Sequence, residues 1–203
     1  MWYYEMTVNT KAEAIFEEFC TLNSISWEKL QESEQPTPDY RVDLNGRTVL
    51  VEVKQIDEDD NFSNVSGSRT VGSHIRRKIE QARKQAQAAS NTATPFILLV
   101  YNNLDELQMF GTEQHDCVDA MYGERTLEFD TSTNAVTDSF QGRNRSFRND
   151  KNTSFSAVGY LKKTRRGIEV QICENIFAEN QLDFSKIPNC IEATRIDVDK
   201  RTA

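Results

Sequence analysis

The chain has 203 residues, 37% of them hydrophobic and 28% charged, with a formal net charge of −8. That length supports one compact domain with a sizeable core, and the acidic balance excludes a protein that coats nucleic acid through a uniformly basic surface. The longest apolar run, Phe96 to Tyr101, suits a buried strand and falls far short of a bilayer span, so no membrane partner is expected.

The first residues, Met1-Trp2-Tyr3-Tyr4-Glu5, lack the basic and apolar regions of a signal peptide, which predicts a cytoplasmic location. A helix is predicted from about Thr10 to Leu22. Thr10-Lys11-Ala12-Glu13 fits a capping box, and Ala12, Ile15, Phe16, Phe19 and Leu22 fall on one helical side. Ser26 to Leu30 reads as a short strand, and Gln31 to Pro38, polar with two prolines, as a loop. Tyr40–Leu44 and Arg47–Lys54 flank Asn45-Gly46, the strongest short-range hairpin signal because both turn positions require positive φ. Asp57 to Gly72 has no periodicity and reads as a loop, with Asp57-Glu58-Asp59-Asp60 as a solvated acidic run.

A helix rich in Arg, Lys, Gln and Ala follows from Ser73 to Ala89, and the apolar run after Pro95 reads as a central strand buried on both faces. In the second half we expect a helix at Gln114–Met121, a strand at Arg125–Phe129 and a long polar loop from Thr131 to Thr153. Strands at Phe155–Leu161 and Ile168–Cys173 should flank a charged turn from Lys162 to Gly167. Neither an internal repeat nor a long linker divides the chain, which predicts a single α/β domain over residues 1–203.

Cys20, Cys117, Cys173 and Cys190 are widely spaced, without CxxC or Cys/His pairing, so reduced thiols are expected rather than a zinc site or disulfide framework. His74 and His115 stand alone near helix starts and read as structural or surface residues.

The hairpin carries the chemistry. With Asn45-Gly46 as the turn, Leu44 faces Arg47, Val42 faces Val49, Tyr40 faces Val51, and Asp39 then faces Glu52. Opposed residues have Cβ atoms roughly 5 Å apart, so the two carboxylates repel unless a cation sits between them. Strand alternation turns Val49, Val51 and Val53 to the core and Leu50, Glu52 and Lys54 to the other face, with Lys54 beside the carboxylates. Hard oxygen ligands of this kind suit Mg²⁺ (or Mn²⁺). The bland alternative is a valine-rich strand with outward Glu and Lys, and Glu-x-Lys alone is a weak signal.

Pro38-Asp39…Glu52-Val53-Lys54, on a hairpin after a glutamate-bearing helix and before a basic helix, resembles the PD-(D/E)xK nuclease superfamily. The resemblance covers roughly Thr10 to Tyr101. It implies a restriction-endonuclease-like αβββαβ core, with a mixed central sheet flanked by helices, at about residues 10–101. Residues 102–203 would be a C-terminal elaboration with further strands. It also implies Asp39 and Glu52 as metal ligands and Lys54 as the catalytic lysine, with Val53 a further metal-ligand candidate. A glutamate of the first helix often joins the ligands. Glu13 and Glu17 are the leading candidates and Glu18 a third, against a capping role for Glu13 and a solvated face for the others. A glutamine in the following helix often assists, and among Gln81, Gln85 and Gln87 it is Gln85 that best fits Ala-x-Lys-Gln.

Arg76, Arg77, Lys78, Arg83 and Lys84 load that helix with positive charge suited to phosphate contact. Arg143, Arg145, Arg148 and Lys151, interleaved with Phe147, read either as a single-strand grip or as a mobile solvated loop. The leading expectation is a metal-dependent DNA endonuclease in defence, restriction or repair. Its rivals are an RNA-cleaving nuclease and a non-cleaving module of the same fold that binds nucleic acid or a protein. A homodimer or a partner subunit would be compatible with the acidic charge.

Overall fold

Asn45 and Gly46 take φ of 51° and 82°, the tight turn that two-residue hairpins favour because it matches strand twist. They join β2 (Tyr40–Leu44) to β3 (Arg47–Ile56) in the expected register, with Tyr40 opposite Val51, Val42 opposite Val49 and Leu44 opposite Arg47. The computed structural model describes residues 9–31, 33–57, 70–108 and 110–196. The residues Met1–Glu5, the acidic run beyond Asp57 and most of the 57–72 loop lie outside that set.

α1 (Lys11–Leu22) starts at Thr10, whose hydroxyl accepts the Glu13 N–H while the Glu13 carboxylate accepts the Thr10 N–H. A reciprocal cap of this kind satisfies two donors the helix itself cannot. Ala12, Ile15, Phe16 and Phe19 are buried as expected. Leu22 is not; it is 70% exposed, and Cys20 completes the apolar stripe instead. β1 (Ser26–Lys29) pairs antiparallel with β2.

The expected single helix over 73–89 is two end-to-end segments, α2 (Ser73–Gln81) and α3 (Arg83–Ser90), joined at Ala82 where the backbone tightens to φ −86°, ψ 0°. Ala86 N–H still reaches Ala82 C=O, so the ladder runs on through the joint. β4 (Phe96–Asn102) is buried at every position. It lies at the centre of a mixed seven-stranded sheet of order β1-β2-β3-β4-β7-β8-β9, with β7 (Ala157–Thr164), β8 (Gly167–Glu174) and β9 (Ile191–Thr194). β4 is parallel to both β3 and β7. Both its neighbours and both its faces are protein, which explains an unbroken apolar run rather than alternation.

The sheet separates two cores. On one side Phe16 and Phe19 of α1 meet Val49, Val51, Val53, Ile97 and Leu99. On the other, Ile75, Ile79, Ala82 and Ala86 of α2 and α3 pack with Leu50, Leu98 and Val100. Each large side chain so buried contributes about 1.5–3 kcal/mol. From Val49 to Val53, β3 is therefore buried on both faces; the side carrying Glu52 is covered as well. α4 (Gln114–Tyr122) joins this second core and fixes the start of α2. Gly72, at φ 72°, lies so close to it that a Cβ there would stand 2.7 Å from Ala120 N and 2.8 Å from Asp116 O. Among the described residues no helix is long and apolar enough to cross a membrane.

Three expectations for the second half are corrected. The 131–153 stretch is not all loop, because β6 (Ala135–Gln141) pairs with β5 (Arg125–Asp130) in a separate two-stranded sheet. Both strands are largely exposed, and without a buried face there is no alternation to read. β7 and β8 run further than their apolar cores, down to Thr164 opposite Gly167, because cross-strand pairing continues beyond the region that packing covers. Phe147 is fully buried against Phe155, with ring centroids 5.5 Å apart, so it belongs to the core and cannot stack on a base.

Candidate active site at the open end of the hairpin

The β2–β3 ladder ends at Tyr40, because Pro38 has no N–H to continue it and the chain turns away. Side chains take over. Asp39 Oδ2 accepts the Val53 N–H at 2.8 Å, and Glu52 Oε2 accepts the Asp39 N–H at 3.2 Å. Lys54 Nζ lies 2.5 Å from Glu52 Oε1. The structure thus brings Asp39, Glu52 and Lys54 together as the hairpin register requires. Val53 between them buries its side chain in the α1 core while its N–H serves Asp39.

Glu52 is 1% exposed. Burial pushes its carboxyl up, the Asp39 charge adds to this, and Lys54 opposes both; the result is about 7. The Asp39 carboxyl is also raised, first by burial and then by Glu13, against the Val53 N–H and Lys54. Lys54 moves the other way from a buried amine. Burial disfavours its charge, but Glu52, Asp39 and Glu13 more than offset that and hold the ammonium above its ordinary value. With both carboxyls ionised, the one Lys54 ammonium beside the buried Glu52 and the half-buried Asp39 leaves negative charge uncompensated.

Among the first-helix glutamates, Glu13 is the one whose charge bears on both Asp39 and Lys54. It is itself paired with Lys29 at 2.7 Å, and the Lys29 and Thr10 bonds outweigh burial and lower its carboxyl. Lys29 was not among the expected residues. Only the β1–β2 pairing, which sets Lys29 opposite Tyr40, brings it to α1. Glu17 Oε1 accepts the Tyr40 hydroxyl at 2.8 Å and the Asn9 amide at 2.8 Å. Glu18 pairs with Lys163 on the outside.

A cleft of about 390 Å³ opens over the trio, walled by Lys84, Gln81 and Gln85 on one side and by the Ser33–Thr37 segment on the other. Gln85 Oε1 is buried there without a hydrogen-bond partner among the described residues; Gln81 shares the wall and the exposed Gln87 does not. Of the five basic residues expected to contact nucleic acid, Lys84 lines this cleft, and Arg77 and Lys78 line the next one along α2. Arg76 lines a third cleft, beside Arg77, and also ties elements together. Its guanidinium donates to Asp119 O and Val71 O and lies 3.5 Å from Glu124, tying α2 to α4. Arg83 is exposed and lines none of these clefts.

The donor set fits a divalent cation in kind. Asp39 and Glu52 offer hard oxygens from one or two carboxylates, which Mg²⁺ accepts alongside retained waters, and the uncompensated negative charge favours a cation between them. Elsewhere, Glu113, His115 and Asp116 have ligand atoms within 4.8 Å of one another. That group is accounted for as the N-terminal cap of α4, where Glu113 and Asp116 form a capping box and Asp116 receives the Gly72 N–H. Comparison with known proteins adds no relative, since no family model, curated protein or solved structure matches the chain.

Proposed function

We propose that this protein is an Mg²⁺- or Mn²⁺-dependent nuclease of the PD-(D/E)xK, restriction-endonuclease-like type, hydrolysing phosphodiester bonds and acting on DNA in preference to RNA. One observation carries the reading: a buried carboxylate, Glu52, and a half-buried one, Asp39, oppose each other beside a lysine at the mouth of a polar cleft. A pair whose ionised forms burial disfavours is expensive to maintain, and a role in holding a cation accounts for it. The order through β4 (helix, three strands, helix pair, strand) agrees with an αβββαβ core.

Asp39 and Glu52 would hold the metal, with Glu13 bearing on it from α1. A divalent ion so held acidifies water and offsets phosphate charge. Lys54 keeps its proton at neutral pH, which suits it to stabilise charge on the phosphate rather than to act as a base. Gln85, with its Oε1 unpartnered in the cleft wall, is placed to orient water or substrate.

A second reading draws on the 2.5 Å contact between Lys54 and Glu52: a site satisfied internally suits a module that binds nucleic acid without cutting it. One experiment separates the two. The purified protein is incubated with plasmid DNA, single-stranded DNA and RNA, with Mg²⁺, Mn²⁺ or EDTA. Metal-dependent cleavage that Asp39→Ala abolishes supports the nuclease; absence of cleavage on every substrate with both metals overturns it.

A further inference from the structure

The α2–α3 pair buries Ile75, Ile79, Ala82, Ala86 and Ala89. At 3.6 residues per turn that leaves Arg77, Lys78, Gln81 and Lys84 along the outer side, with about 10 Å of helix between Arg77 and Lys84. Three clefts meet at Gln81. The first holds Glu34, Asp39, Glu52, Lys54 and Lys84; the second holds Asp57, His74, Arg77 and Lys78; the third holds Arg76, Arg77, Glu80, Arg145 and Lys151. Arg145 and Lys151 come from a segment far along the chain, and it is anchored. Phe147 is fully buried, its N–H donates to Met121 O, and the Asn152 amide donates to Ser146 O. The core aromatic thus holds the basic segment against α2 as a fixed lip.

Charge and lining narrow the ligand. The whole chain carries a net charge of −8, yet cations converge on this face. Burial disfavours the charged form of Lys78, and Lys54 and Arg77 nearby add to that, against Asp57. An anion is what such crowding accommodates. Half-buried Lys151 is 3.6 Å from exposed Glu80, a surface pair that exchanges readily for another anion. No Phe, Tyr or Trp is among the described residues lining the three clefts, so this described lining offers no stacking platform of the kind that grips single strands.

Resting on the nuclease reading above, we infer that the α2 face and the Asn144–Lys151 lip form a phosphate track for the flank of duplex DNA, holding it by its backbone and without regard to sequence. Phosphate near Lys84 and Lys54 would lie at the carboxylates. The track through Lys78, Arg77, Arg145 and Lys151 would hold the duplex on one side of that point.

Equilibrium binding in EDTA, followed by fluorescence anisotropy against salt concentration, tests this without cleavage. The probes are a labelled DNA duplex, an RNA duplex and a single DNA strand of equal length. Arg77→Ala/Lys78→Ala and Arg145→Ala/Lys151→Ala should each weaken DNA-duplex binding about tenfold. Each should also flatten the log–log salt slope by about 2, at roughly 0.9 for every phosphate no longer neutralised. Lys163→Ala/Arg166→Ala, which removes equal charge at the β7–β8 turn, should leave binding within twofold, and thermal melting confirms that each variant is folded. An unchanged affinity and slope in the lip variant, an equal loss in the turn variant, tighter binding of the single strand or of the RNA duplex, or no binding at all overturns the track. The two readings fail separately. Cleavage with a dispensable lip refutes the track alone, and duplex binding with the expected slope but no cleavage under Mg²⁺ or Mn²⁺ refutes the nuclease alone.

Discussion

Asp39 and Glu52 hold each other across the open end of the hairpin: the Asp39 N–H donates to Glu52 Oε2 at 3.2 Å, while the Asp39 carboxylate bonds the next residue of the same strand, Val53, at 2.8 Å. The two side chains replace the missing rungs of the ladder. The bland role, capping a strand end, and the proposed one, holding a cation, would therefore fall to the same atoms. A substitution at either position has to be read for stability and for metal binding together.

The first prediction concerns pH. Glu52 ordinarily titrates near 4.5 and is raised to about 7 in the folded protein. Between those values the folded state holds a proton that the unfolded state has released. The stabilisation is present at low pH and lost as pH rises through about 7. The metal-free protein should lose about 2–3 kcal/mol from this group between roughly pH 4.5 and pH 8. Mn²⁺ should restore stability at the upper end and do little at the lower. Melting curves across that range check it, and Glu52→Gln should flatten both effects.

Lys54→Met separates binding from catalysis. Lys54 occupies Glu52 Oε1, so its removal frees a ligand oxygen while withdrawing a charge from the phosphate. Cleavage should fall about 100-fold or more while Mn²⁺ affinity, measured by calorimetry, holds or improves. A parallel loss of metal binding would place Lys54 in the structure of the site rather than in its chemistry.

The two glutamates of α1 should part company. Glu13→Gln removes a charge felt by Asp39 and Lys54 and should weaken Mn²⁺ binding several-fold. Glu17→Gln should leave Mn²⁺ binding unchanged and cost about 1 kcal/mol of stability through the Tyr40 hydroxyl bond. Titration calorimetry and thermal melting of both variants decide it.

Gln85→Leu tests the orphaned amide. Its Oε1 is buried without a partner among the described residues, so an apolar replacement of similar size should be within about 1 kcal/mol of neutral for folding. Cleavage should drop about tenfold, on the scale of a single hydrogen bond in the transition state. Equal losses of stability and activity would mean the glutamine serves the packing of α3.

Much of this protein was legible in its residues because the signals involved are local. The Asn45-Gly46 turn, the Thr10 cap, the apolar run of β4 and the alternation in β3 each depend on interactions within a few positions. The register that opposes Asp39 to Glu52 follows from the turn alone. What lay beyond reach depends on residues distant in sequence. The different surroundings of Glu13 and Glu17 come from Tyr40, which donates its hydroxyl to Glu17, and from Lys29, which β1 delivers to Glu13. Phe147 looked like part of a basic loop, and only the second core beneath it shows the aromatic to be an anchor. β6 left no trace because an exposed strand needs no pattern. Composition and spacing determined the chemistry at hand; tertiary packing decided which copies of each residue type reach it, because burial and pairing are selected by partners the local sequence does not contain.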